Sequence, residues 1–217
     1  MKLCGIDEAG RGCIIGPLVL CGAMIDADGE DSLAQLGVKD SKLLSIFKRN
    51  QLFEKLTADL TYQVIIVPPA EIDKYVLSAN GQNLNWLEAE KTVELIDMLS
   101  PDKAILDSPS PNLKAYKSYV DERLLNKNIT LQVEHKADAN NPIVAAASII
   151  AKVTRDREIE KIKQSVGEDF GSGYMSDPRT QVFLERNWET YSRLFRHSWA
   201  PYRHIVAKNF QKGLDEF

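Results

Sequence analysis

Short apolar runs, each closed by a carboxylate, a glycine or a proline, alternate along this chain with longer segments of helical spacing, and that alternation restricts the fold more than any other feature. Lys2 to Asp7 (KLCGID) and Pro17 to Ile25 (PLVLCGAMI) read as two strands joined by the glycine-rich link from Glu8 to Gly16. Tyr62 to Val67, stopped by Pro68-Pro69, is a third strand. Lys103 to Leu106 and Leu131 to Glu134 are a fourth and a fifth, brief and expected to be central. Between them lie helical segments at Ile46 to Leu60, Leu84 to Leu99 and Leu113 to Leu125. Asn141-Pro142 opens a long helix that stops near Gly167, since asparagine is a good N-cap and proline is tolerated at the first helical position. Its first half is small and apolar and its second half charged, so it should begin buried and emerge into solvent. The chain therefore predicts an α/β fold. No linker divides it before about residue 166, which suggests a catalytic domain over 1–166, a helical region over 167–210 carrying Trp188, Trp199 and Tyr202 among arginines, and a tail over 211–217.

The 217 residues are 44% hydrophobic, an ordinary globular composition that buries a substantial core. No stretch approaches the roughly 20 apolar residues of a membrane span, and Met1-Lys2 runs into strand-like sequence without a signal-peptide pattern. Cys4, Cys13 and Cys21 lack the paired spacing of a zinc or redox site and read as small buried hydrophobes in a reducing cytoplasm. The net charge of −4 excludes a bulk polycation. Residues 1–151 carry 15 basic and 21 acidic side chains, whereas 152–217 carry 12 and 10, so a polyanion is drawn toward the C-terminal third.

Acidic residues recur where strands stop. Asp7 and Glu8 leave the first run just before glycines, Asp107 ends the fourth ahead of Ser108-Pro109, and Asp138 follows the fifth within His135-Lys-Ala-Asp. Each has a modest explanation alone: Asp107 as a turn cap, Asp138 as a helix cap, Asp7 and Glu8 as solvated loop residues. Four carboxylates at three strand exits repel one another unless cations lie among them, and strand-end acids of an α/β sheet converge on one edge. All-oxygen ligation favours Mg2+ or Mn2+ over zinc, and such a site holds two ions about 4 Å apart for phosphodiester hydrolysis. No phosphate-binding loop or nucleophile elbow competes with this reading. His135, His197 and His204 lie too far apart in sequence to suggest an acid/base pair, and His135 reads as structural.

The stretches GIDEAGRG (5–12), GPL (16–18), VKDSKLLS (38–45), ILDSP (105–109), HKAD (135–138), AAASIIAKVTRDREI (145–159) and GSGYMSDPRT (171–180) resemble, in order, the type 2 ribonuclease H family, ribonuclease HII, and most closely its archaeal members. The resemblance implies a ribonuclease H-like fold, a five-stranded mixed sheet flanked by helices, and hydrolysis of RNA in RNA/DNA hybrids. It also implies incision on the 5′ side of a single ribonucleotide in duplex DNA, leaving 3′-hydroxyl and 5′-phosphate ends. Asp7, Glu8, Asp107 and Asp138 would be the metal-binding carboxylates, Asp7 touching both ions, with water as nucleophile. Gly10, Arg11 and Gly12 would form the loop that reads the 2′-hydroxyl, a role suited to glycine because its backbone approaches closely. Tyr174 would pack on the deoxyribose after the ribonucleotide. Lys39, Ser41 and Lys42 resemble the family's phosphate-contacting segment, with Arg155 and Arg179 as further candidates. Met175 departs from the small residue or proline expected after the tyrosine.

The tail, Gln211-Lys-Gly-Leu-Asp-Glu-Phe217, resembles the peptide by which proteins ride the sliding clamp, PCNA. One helical turn would put Leu214 and Phe217 on one face, with Gln211 beside them. The expectation is a monomeric cytoplasmic nuclease. The alternatives are a relative specialised for long hybrids and a clamp-associated hybrid-binding module without turnover.

Overall fold

The computed structural model describes residues 1–38, 44–78 and 82–215. Five strands, β1 (Lys2–Ala9), β2 (Leu18–Asp26), β3 (Thr61–Val67), β4 (Lys103–Asp107) and β5 (Thr130–Glu134), form one mixed sheet in the order β3-β2-β1-β4-β5. β1 pairs antiparallel with β2 from Lys2↔Asp26 to Ala9↔Val19 and parallel with β4 from Leu3↔Lys103 to Ile6↔Leu106. β4 continues parallel to β5. The central strand is therefore β1, which is buried along almost its whole length, as a strand covered on both faces must be.

The helices are α1 (Glu30–Gln35), α2 (Ile46–Asp59), α3 (Pro69–Val76), α4 (Leu84–Leu99), α5 (Leu113–Arg123), α6 (Ala137–Asn140), α7 (Pro142–Val166), α8 (Pro178–Asn187) and α9 (Ala200–Asp215). Three differences from the sequence reading have local causes. β5 is an edge strand, not a central one, and its burial thins toward its end. Pro68-Pro69 ends β3 but also starts α3, because Pro69 occupies a first-turn position where its missing N–H costs nothing. Residues 27–35 turn helical after β2, where no periodic run announces it. α7 follows the expected course: Ile143 through Ala151 are fully buried, and charged residues follow.

The chain forms two compact units. The first comprises Met1–Ala9, Val19–Ile66 and Asn85–Thr154, and the second Gly10–Leu18, Val67–Leu84 and Arg155–Phe217. In the first, Val19, Cys21 and Ala23 of β2 pack with Leu52, Leu56 and the buried start of α7. A Cβ on Gly5 would lie 2.5 Å from the backbone of Ile143 and Val144, so α7 crosses β1 at a distance only glycine permits. The second unit has its own core of Ile14, Ile15, Ile159, Phe170, Phe183, Leu184, Phe195 and Tyr202. Met175, the departure noted in sequence, packs against this core. The three cysteines are buried and free. Among the described residues no helix is long and apolar enough to cross a membrane.

Candidate active site

In the first unit the sheet edge assembles Asp7, Asp107 and Asp138, each offering one carboxylate oxygen, with these oxygens all within 4.8 Å of one another. Asp7 and Glu8 lie inside β1, not beyond its end, because the ladder to β2 continues as far as Ala9. Strand register sets Asp7 opposite Cys21, while Glu8, the next residue of β1, is not one of the three carboxylates that approach within 4.8 Å of one another. Asp107 closes β4 and accepts a hydrogen bond from the Ala137 N–H at 3.2 Å. That bond draws in the start of α6, where Lys136 adopts a left-handed φ of 55°, and presents the next residue, Asp138, to the cluster. His135 Nδ1 lies 3.4 Å from the Ser108 carbonyl, a contact that holds the same loop.

Asp7 and Asp138 are only 6% and 4% exposed, and burial dominates Asp7's titration. Desolvation pushes its carboxyl up to about 6, the neighbouring charge of Asp107 pushes the same way, and Lys152, the Ser148 hydroxyl and the Glu8 amide partly offset it. The Glu8 N–H donates to Asp7 Oδ1 at 2.8 Å. Ser148 and Lys152 are one turn apart on α7, where the lysine ammonium donates to the serine hydroxyl. This relay was missed in the sequence, where the four-residue spacing was its only signal. Three aspartates meet here and each offers a carboxylate oxygen, so the residues fit a hard divalent cation such as Mg2+ or Mn2+.

The glycine loop and Tyr174 belong to the second unit. Gly10 has φ of 84°, and a Cβ there would lie 2.6 Å from the Pro17 carbonyl, so the position requires glycine. Tyr174 is half-buried, with its Cε1 3.9 Å from where a Cβ on Gly12 would stand. The Arg155 guanidinium lies 4.9 Å from the Tyr174 ring centroid and donates to the Ser172 carbonyl at 2.6 Å. The structure thus brings together three features that are far apart in sequence: the loop, the tyrosine and Arg155. Arg179 has another task, since its guanidinium pairs with Asp169 at 2.7 Å and Asp177 at 3.0 Å, which commits its charge to the loop before α8. Sequence reasoning also missed Arg196, which is fully buried against the glycine loop's carbonyls. Lys39, Ser41, Lys42 and Phe217 lie outside the described residues, while Gln211 is exposed on α9 and the backbone of Leu214 continues that helix.

A family model described as Ribonuclease HII matches residues 4–202. Ribonuclease HII of Pyrococcus horikoshii is 46% identical over all of this chain and 99% of its own. The crystal structure of the ribonuclease H2 from Pyrococcus horikoshii OT3 matches with a TM-score of 0.86 at 45% identity, covering 96% of this chain and 98% of that one. A structure of the PCNA:RNase HII complex from Archaeoglobus fulgidus matches at 0.82 and 41% identity, covering 92% and 95%.

Proposed function

This chain belongs to the ribonuclease HII family, and is a type 2 ribonuclease H that acts as an endoribonuclease on RNA/DNA hybrids; from that premise we propose that it also incises duplex DNA on the 5′ side of a single embedded ribonucleotide, leaving 3′-hydroxyl and 5′-phosphate ends. The observation that carries the chemistry is the convergence of Asp7, Asp107 and Asp138 on a common point. Together with Glu8, these residues would hold two divalent ions, Mg2+ or Mn2+. When bound, such ions supply the charge that activates a water and stabilises the leaving oxygen. The protein's part is to keep these carboxylates ionised and aimed, and the Lys152–Ser148 relay on Asp7 favours its charged form against the burial that opposes it.

Specificity falls to the second unit in this reading. The Gly10-Arg11-Gly12 backbone reads the ribose 2′-hydroxyl, the group that distinguishes RNA from DNA. Tyr174, braced by Arg155, presents a ring face to the sugar that follows. Lys39, Ser41 and Lys42 are assigned to phosphate contacts, which position a duplex without reading it. The tail residues Gln211, Leu214 and Phe217 are assigned to PCNA, supported by the spacing of the motif and by the complex of the Archaeoglobus relative.

Asp7→Asn removes one ligand charge at nearly constant volume. It should lower incision of a single-ribonucleotide duplex by at least about 1,000-fold while leaving the circular dichroism spectrum unchanged. A folded variant with near-normal activity would contradict the assignment of the centre.

A further inference from the structure

We infer that Arg196 is the positioning residue that aims the Gly10–Gly12 backbone, and so sets how strongly the enzyme prefers a ribose to a deoxyribose. The inference rests on the reading of that loop as the reader of the 2′-hydroxyl.

Arg196 is fully buried. A guanidinium withdrawn from water must recover its lost hydration, and burial here pulls its pKa down from the usual value. The recovery comes from the glycine loop. Nη2 donates to the Gly10 carbonyl at 2.6 Å, Nη1 to the Arg11 carbonyl at 2.8 Å, and Nη2 and Nε to the Gly16 carbonyl at 3.1 and 3.3 Å. Cys13 Sγ lies 3.0 Å from Nη2. The stem is fixed as well: the Arg196 N–H donates to the Ile14 carbonyl at 3.0 Å, Ile15 bridges to Phe195, and Trp199 stacks 4.8 Å from the guanidinium carbon.

Peptide planarity gives this clamp a consequence on the other side of the loop. No cis peptide bond occurs among the described residues, and in a trans peptide the C=O and the following N–H point in opposite directions. The two carbonyls held on Arg196, those of Gly10 and Arg11, share their planes with the N–H groups of Arg11 and Gly12. Both amides are therefore directed away from the guanidinium as a consecutive pair of donors. The cation polarises the same two peptides and strengthens those donors toward an incoming hydroxyl oxygen. One planar fork spanning three carbonyls fixes this aim, and a lysine cannot reproduce it.

The test compares wild type with Arg196→Lys, measuring Kd in EDTA for a duplex carrying one ribonucleotide and for the same duplex made of DNA throughout. The wild type should prefer the ribonucleotide duplex, and the variant should lose most of that preference, to less than twofold, chiefly by weakening on the ribonucleotide duplex. A folded variant with the wild-type preference overturns the positioning role and leaves the loop reading standing. A wild type with no preference overturns the loop reading and this inference with it. Amide exchange on the wild type decides the matter if the variant does not fold. The Arg11 and Gly12 amides should be protected at least tenfold more by the ribonucleotide duplex than by all-DNA, and equal protection overturns the inference.

Discussion

Asp7 is the residue at which fold and chemistry oppose each other most directly. Its folded carboxyl is raised to about 6 from an ordinary 3.8, so between those values the folded protein binds more protons than the unfolded chain. The stability this site contributes is fully present below about pH 4 and is lost as pH rises through about 6. Without divalent metal, Asp7→Asn should therefore be more stable than wild type at pH 8, by on the order of 1–3 kcal/mol, and the advantage should vanish toward pH 4. Thermal melts of both proteins in EDTA across that range check this; a variant less stable at pH 8 contradicts the electrostatic account. The three aspartates were legible in sequence because Asp7 and Asp107 close apolar runs with a charge the core cannot take alone and Asp138 follows a third such run by a few residues. Ser148, Lys152 and Arg196 were not, because their roles depend on tertiary contacts. Arg196 reaches Gly10 from 186 residues away, and nothing local distinguishes it from a surface arginine.

Among the elements, the crossing of α7 over β1 matters most, since it places the Ser148–Lys152 face beside Asp7. Gly5 permits that crossing, and a methyl group there would meet backbone atoms of Ile143 and Val144 at 2.5 Å, with no flexible side chain to yield. Gly5→Ala should cost at least about 3 kcal/mol in urea unfolding, at or beyond the upper end of overpacking penalties, because a helix and not a rotamer must move. A loss below about 1 kcal/mol would mean that α7 shifts freely. The opening hairpin, β4 and α7 were readable because composition and periodicity agree there. The misreadings arose where they do not. A proline pair both stops β3 and starts α3, the segment after β2 is too short to show a period, and two equally brief apolar runs gave no sign that β5 would take the edge.

For the whole molecule, the chain passes repeatedly between its two compact units, leaving the first at Gly10, returning at Val19, and crossing again at Val67, Asn85 and Arg155. Local changes of composition do fall near several of these crossings, the glycine-rich link at Gly10, Pro68-Pro69 beside Val67 and the charged half of α7 at Arg155, but none says which segments pack together, which is why sequence shows blocks of motif and not the units they serve. Two of the blocks are themselves divided: GIDEAGRG gives its carboxylates to the first unit and its glycine loop to the second, and the AAASIIAKVTRDREI helix gives Ser148 and Lys152 to one and Arg155 to the other. The central claim is that these parts serve one reaction, metal-dependent cleavage directed by a ribose. The most direct measurement is to incubate the protein with an end-labelled DNA duplex carrying one ribonucleotide, in Mg2+, in Mn2+ and in EDTA, and to map the cut. The account predicts one incision immediately 5′ of the ribonucleotide with either metal and none in EDTA. Cutting that persists in EDTA, or an intact duplex under both metals, would contradict it.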